Sequence, residues 1–123
     1  MSQSDDVILL VENEVITRNA FADALRREGH QVIEAEDGAQ ALSLLEKSHF
    51  DLVMTDLIMP RINGFELTAE IRRKSPHMPI ILISAFLSEE GGRIISGGSA
   101  EFLHKPVDSA DLIASVQRLL PRT

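Results

Sequence analysis

Val7-Ile8-Leu9-Leu10-Val11 is an unbroken apolar run, followed at once by the polar Glu12-Asn13-Glu14. A short aliphatic run with no polar alternation predicts a strand buried on both faces, as in a parallel sheet covered by helices. The flanking chain supplies those helices. Residues 14–28 carry Phe21, Ala24, Leu25 and Glu28 at helical spacing, and Gly29 stands at the C′ position that ends a helix. Gln31–Ala35 reads as a shorter, more polar strand, and residues 38–48 as a helix with Ala41, Leu44 and Leu45 on one stripe. Leu52–Thr55 is a third strand. Pro60–Gly64 is a loop in which Gly64 is expected to supply a positive φ, and residues 65–74 form a helix that Ser75-Pro76 ends. Ile80–Ser84 is a fourth strand, residues 88–97 follow no clear pattern, and Glu101–His104 is a short fifth strand. Asp108 caps a last helix through Leu120, and Pro121 closes it.

This alternation predicts an α/β fold of (βα)5 type: a doubly wound, five-stranded parallel sheet with helices on both faces. Strands one, three and four are uninterrupted aliphatics and belong in the centre. Strands two and five carry Glu34 and His104 and suit the edges. The order 2-1-3-4-5, the flavodoxin-like order, satisfies both conditions. One domain over residues 7–121 is expected, after a flexible tail at 1–6.

Composition excludes several classes. Of 123 residues, 44% are hydrophobic and 25% charged, which is ordinary soluble composition rather than a disordered chain. No apolar run nears the ~18–20 residues of a spanning helix, so no membrane role is expected. Asp5 and Asp6 stand where a signal peptide would be basic, and a cytoplasmic location follows. With no cysteine there is no disulfide frame, thiolate metal site or cysteine nucleophile. A net charge of −7 argues against direct nucleic-acid binding, and the lack of Trp and Tyr removes stacking platforms. His30, His49, His77 and His104 share no metal-ligand spacing and are expected at the surface.

Ligands of such sheets bind beyond the carboxyl ends of the strands, at the switch point between strands one and three. Strand one ends at Glu12-Asn13, strand three at Asp56, strand four at Ser84-Ala85 and strand five at Lys105-Pro106. Two carboxylates and an amide suit a hard cation such as Mg²⁺ that binds phosphate oxygens. A carboxylate can itself be the nucleophile, forming an aspartyl-phosphate. Lysine supplies a point charge and serine a hydrogen bond to the transferred group. Each residue also has a plainer reading. Asp56 could cap a turn, Glu12-Asn13 could be loop polarity, Ser84 could bond backbone, and Lys105 could be solvated.

VMTDLIMPRINGFE (residues 53–66), with ILISA (81–85), FLHKP (102–106) and, less closely, LLVENE (9–14), resembles the receiver domain of two-component response regulators, of the chemotaxis-receiver type. The resemblance covers roughly residues 7–120. It implies that Asp56 accepts a phosphoryl group, and that Glu12, Asn13, Asp56 and the backbone carbonyl of Ile58 hold Mg²⁺. It further implies that Ser84 is the switch hydroxyl, Lys105 contacts the phosphoryl group, Pro106 follows through a cis bond, and Phe102 is the switch aromatic. The implied donor is a sensor histidine kinase or histidine phosphotransfer protein. The implied output is a downstream protein target or a fused domain, and such domains often pair as homodimers through their last two helices and the strand between. The resemblance describes a phosphorylation-dependent switch, not an enzyme turning over an outside substrate.

Two departures stand out. Asn13 replaces the usual aspartate of the acidic pair, which predicts weaker Mg²⁺ binding. Gly91, Gly92, Gly97 and Gly98 predict a short or frayed helix over 88–97. Ile58 and Phe86, each two residues beyond a proposed site residue, offer no group to orient water, which predicts slow self-hydrolysis. Three other functions compete. An aspartate-based phosphohydrolase wants an acid two residues after the nucleophile, where Ile58 stands. A P-loop would need lysine where Gly98 stands. A degenerate receiver acting as a phosphorylation-independent binding module would be consistent with Asn13 and the glycines.

Overall fold

The structure, a computed structural model, describes residues 6–85 and 100–120. The helix expected over 88–97, its glycines and Phe86 lie outside the described residues. The elements are β1 (Val7–Val11), α1 (Val15–Arg27), β2 (Gln31–Ala35), α2 (Gly38–Lys47), β3 (Leu52–Asp56), α3 (Gly64–Lys74), β4 (Ile80–Ser84), β5 (Ala100–His104) and α4 (Ser109–Leu119). The five strands pair in parallel in the order β2-β1-β3-β4-β5. β3 and β4 are buried at every position, and β2 and β5 are the half-exposed edges, as the sequence polarity requires.

Side chains alternate across the sheet. Ile8, Leu10, Leu52, Met54, Ile81 and Ile83 pack with Phe21, Ala22 and Leu25 of α1 and Leu112 and Val116 of α4. Leu9, Val11, Val53, Ile80 and Leu82 pack with Ala41 of α2 and Leu67 and Ile71 of α3. Each such aliphatic side chain contributes about 1.5–3 kcal/mol by leaving water.

Short polar side chains set the helix ends. Asp37 Oδ1 accepts from Gln40 N–H at 2.8 Å and Asp108 Oδ1 from Asp111 N–H at 2.8 Å. Asn63 and Glu66 form a reciprocal capping box at α3. Gly29 ends α1 with φ 94°.

Two local expectations need correction. Among the described residues, the left-handed conformation after β3 falls on Arg61, at φ 65°, and not on Gly64. Gly64 is required for space: a Cβ there would lie 2.5 Å from the Asp56 carbonyl oxygen and 2.6 Å from Leu57 Cα. His30 is not a surface histidine. Its Nδ1 is buried without a hydrogen bond, 4.0 Å from Asp6 Oδ2, because the loop after α1 folds back against the start of β1.

Candidate functional site

Glu12 continues the alternation of Ile8 and Leu10, Asp56 that of Leu52 and Met54, and Lys105 that of Leu103. All three therefore emerge at the carboxyl edge on the side of the sheet covered by α1 and α4. The structure brings them together. Lys105 Nζ donates to Asp56 Oδ2 at 2.6 Å and stands 3.5 Å from Glu12 Oε1. Glu12 and Asp56 are only 1% and 5% exposed, so one ammonium serves two buried carboxylates.

Backbone amides fix the other carboxylate oxygens. Glu14 N–H donates to Glu12 Oε2 at 3.0 Å, and Ile58 N–H to Asp56 Oδ1 at 3.1 Å. Burial first, and then the charge of Asp56, pushes the Glu12 carboxyl above the usual glutamate range; the Glu14 amide and Lys105 oppose the rise. Burial disfavours the Lys105 ammonium, but its bonds and charge contacts with Asp56 and Glu12 outweigh that and hold its pKa above the ordinary lysine value.

The remaining sequence-predicted residues lie in β4, in β5 and in the loops after β1, β3 and β5. Asn13 is exposed beside Glu12. Ile58 presents its backbone to Asp56 while its side chain is 55% exposed. Ser84 is buried at the end of β4, and its carbonyl accepts from Lys105 N–H at 3.0 Å. The Lys105–Pro106 peptide is cis. Phe102 is half-buried, packs with the α2/α3 side of the core, and meets His104 edge-on with centroids 6.1 Å apart. By strand alternation Ser84 and Phe102 belong to the face opposite Lys105.

The donor set fits a hard divalent cation. Two buried carboxylates share a single lysine charge, which leaves an uncompensated negative charge at a solvent-open edge. The neighbouring residues named in the sequence, Asn13 and Ile58, could add only neutral oxygens. Among the described residues no three His, Asp or Glu side chains gather as a metal cluster, so a cation here would fill its shell with such oxygens and water.

Several supporting residues escaped the sequence reading. Arg18 Nη1 donates to the Glu12 carbonyl oxygen at 2.8 Å, and Arg61 Nη1 to Asp37 Oδ2 at 2.9 Å. The Asp37-Gly38 pair before an apolar stripe carried a capping signal. No sequence pattern marks the partners of Arg18 or Arg61.

Comparison with known proteins gives the family. A family model described as "Response regulator receiver domain" matches residues 8–117. The sensor histidine kinase RcsC of Escherichia coli is 39% identical over 109 residues, which is 87% of this chain and 12% of that protein. The response regulator protein FleR of Pseudomonas aeruginosa is 32% identical over 112 residues, 90% of this chain and 24% of that protein. The chain thus spans a minor part of both relatives. Among solved structures, the chemotaxis response regulator CheY4 of Vibrio cholerae superimposes with a TM-score of 0.86 at 29% identity, covering 95% of this chain and 100% of that one. The response regulator TrrA of Thermotoga maritima, solved in complex with Mg²⁺-BeF, gives 0.83 at 32% identity over 94% of this chain and 99% of that one. The chain belongs to the response regulator receiver domain family of two-component signalling.

Proposed function

We propose that residues 7–121 act as one phosphorylation switch, preceded by the tail at 1–6, in which Asp56 accepts a phosphoryl group with Mg²⁺ as cofactor. The observation that carries this reading is the Lys105 ammonium, 2.6 Å from Asp56 and 3.5 Å from Glu12 at the carboxyl edge of the sheet. A carboxylate oxygen of Asp56 attacks phosphorus in line as the bond to the donor's imidazole nitrogen breaks. The new O–P bond leaves an acyl phosphate on Asp56, and the imidazole departs. Mg²⁺, held by Glu12, Asn13, Asp56 and the Ile58 carbonyl, would offset phosphoryl charge and orient the donor. Lys105 stays with the transferred group as a point charge. Ser84 turns its hydroxyl to a phosphoryl oxygen, and Phe102, in the neighbouring strand, follows that movement.

The donor is the phosphohistidine of a sensor kinase or phosphotransfer protein, in the cytoplasm. Relatives named as a sensor histidine kinase and as a response regulator support it, and either a fused domain or a separate protein can take the output. Val15, Ile16 and Ile58 are 55%, 81% and 55% exposed around the site. Of these, Ile16 lines an open groove of about 480 Å³ that reaches Lys105 and Pro106, an apolar surface suited to a docking protein. No helix among the described residues is long and apolar enough to cross a membrane. The intact Lys105–Asp56 contact supports this switch over a phosphorylation-independent module.

The test is intact mass after incubation with Mg²⁺ and acetyl phosphate. A phosphoryl adduct is expected, lost with a chelator and in Asp56→Asn. No adduct at high Mg²⁺, or an adduct that persists in Asp56→Asn, overturns the reading.

A further inference from the structure

The five residues from Glu34 to Gly38, which close β2 and open α2, contain no proposed ligand or phosphoacceptor. They nevertheless touch both loops that carry the proposed cation ligands. Ala35 O accepts from Glu12 N–H at 3.0 Å. Glu34 Oε1 holds Arg18 Nε at 3.3 Å, and Arg18 Nη1 in turn holds the Glu12 carbonyl at 2.8 Å. The peptide on either side of Glu12 is therefore pinned from β2, the second one through a guanidinium whose side chain is 15% exposed. Arg26 Nη2 meets the other Glu34 oxygen at 3.1 Å, so the carboxylate is held at both ends.

The other end of the segment grips the loop after β3. Asp37, 8% exposed, caps α2 through Oδ1 and accepts Arg61 Nη1 through Oδ2 at 2.9 Å. Arg61 holds a left-handed backbone, φ 65°, that a non-glycine residue adopts at some energetic cost. Gly38 lies so close to Ile62 that a Cβ would stand 2.5 Å from its carbonyl oxygen. Ile58, the proposed carbonyl ligand, lies in the same loop three residues before Arg61.

We infer that Glu34–Gly38 is a positioning clamp that sets the distance between the Glu12-Asn13 loop and the Ile58 loop, and so sets cation affinity from outside the ligand set. This rests on the proposed Mg²⁺ site. The clamp acts through Arg18 and Arg61, and both are cations. Removing a positive charge near a cation site should tighten binding by electrostatics alone. Losing a positioning contact should weaken it. The two explanations therefore predict opposite signs.

The experiment is Mg²⁺ titration by calorimetry on the wild type, Arg18→Met, Arg61→Met and Gly38→Ala. Glu101→Gln, which breaks the remote contact with Arg118, serves as a control of folded stability. About 3–10-fold weaker Mg²⁺ affinity is expected in the three clamp variants, with wild-type affinity in the control. Phosphorylation by acetyl phosphate should slow at low Mg²⁺ and recover at saturating Mg²⁺. Unchanged or tighter Mg²⁺ binding in Arg18→Met and Arg61→Met overturns the clamp while leaving the proposed function standing. Absence of Mg²⁺ binding and of any adduct in the wild type overturns the proposed function itself. If one variant does not fold, the other arm of the clamp decides.

Discussion

Replacing Lys105 by methionine keeps most of the side-chain volume and removes the ammonium that contacts both Glu12 and Asp56. A hydrogen bond to a charged group contributes about 1.5–3 kcal/mol. The 2.6 Å contact with the buried Asp56 belongs toward the top of that range, and the 3.5 Å contact with Glu12 adds to it. Solvent at the lysine, 29% exposed, subtracts from it. A net loss of about 2–3 kcal/mol is expected in chelator, because two buried carboxylates are left facing each other without a counter-charge. With a urea m-value of about 1.5–2 kcal/mol/M, the unfolding midpoint should fall by about 1–2 M.

Mg²⁺ should narrow the gap between variant and wild type. Bound by the folded state alone, Mg²⁺ at about 100 times its Kd would stabilise by about 2.7 kcal/mol. The variant has no ammonium competing for the carboxylates, so it should gain more than the wild type. Circular dichroism during urea unfolding, with chelator or Mg²⁺, reads both numbers; intrinsic fluorescence does not serve, as Trp and Tyr are absent. A loss of the same size with and without Mg²⁺ would refute the reasoning, since Lys105 would then act through packing rather than charge.

Asn13→Asp should tighten Mg²⁺ about tenfold by restoring a carboxylate to the set, read by calorimetry; unchanged affinity would place residue 13 outside the coordination shell. Gly64→Ala should destabilise by about 1–3 kcal/mol, because its Cβ would meet backbone at 2.5 Å and not a yielding side chain; a neutral result in urea unfolding would show that the loop yields. The raised carboxyl of Glu12 means that the folded state binds its proton more readily than the unfolded chain. Its contribution is fully present below the ordinary glutamate value and is lost as pH rises through the raised one, so stability in chelator should decline across that window. Glu12→Gln should abolish the decline, and parallel curves for the two proteins would contradict it. Ile58→Asn should speed loss of the phosphoryl group severalfold by supplying a group to orient water, measured by mass against time; equal lifetimes would remove Ile58 from that role.

The strands were legible because an aliphatic run buried on both faces has few other places to go. Val7–Val11 and Ile80–Ser84 match the structure at both ends, and the polarity of Glu34 and His104 put their strands at the edges. Once the order is known, strand ends can be enumerated, which is why Glu12, Asp56 and Lys105 could be named together from positions 93 residues apart. Longer-range polar ties left no such trace. Glu34 looked like edge polarity, yet its carboxylate holds two arginines. Gly64 looked like a turn glycine, and only packing distinguishes a need for φ from a need for space. The burial of His30 depends on how a loop folds against another strand, which no local pattern encodes.

The two-residue period of the strands has a consequence for how this domain can diverge. Glu12, Asp56 and Lys105 continue one parity of their strands, whereas Ser84 and Phe102 continue the other. A substitution at Phe102 alters what packs against α2 and α3 without entering the carboxylate–lysine cluster. Drift in that packing is thereby decoupled from drift in the carboxylate–lysine cluster, by a separation no thicker than one sheet.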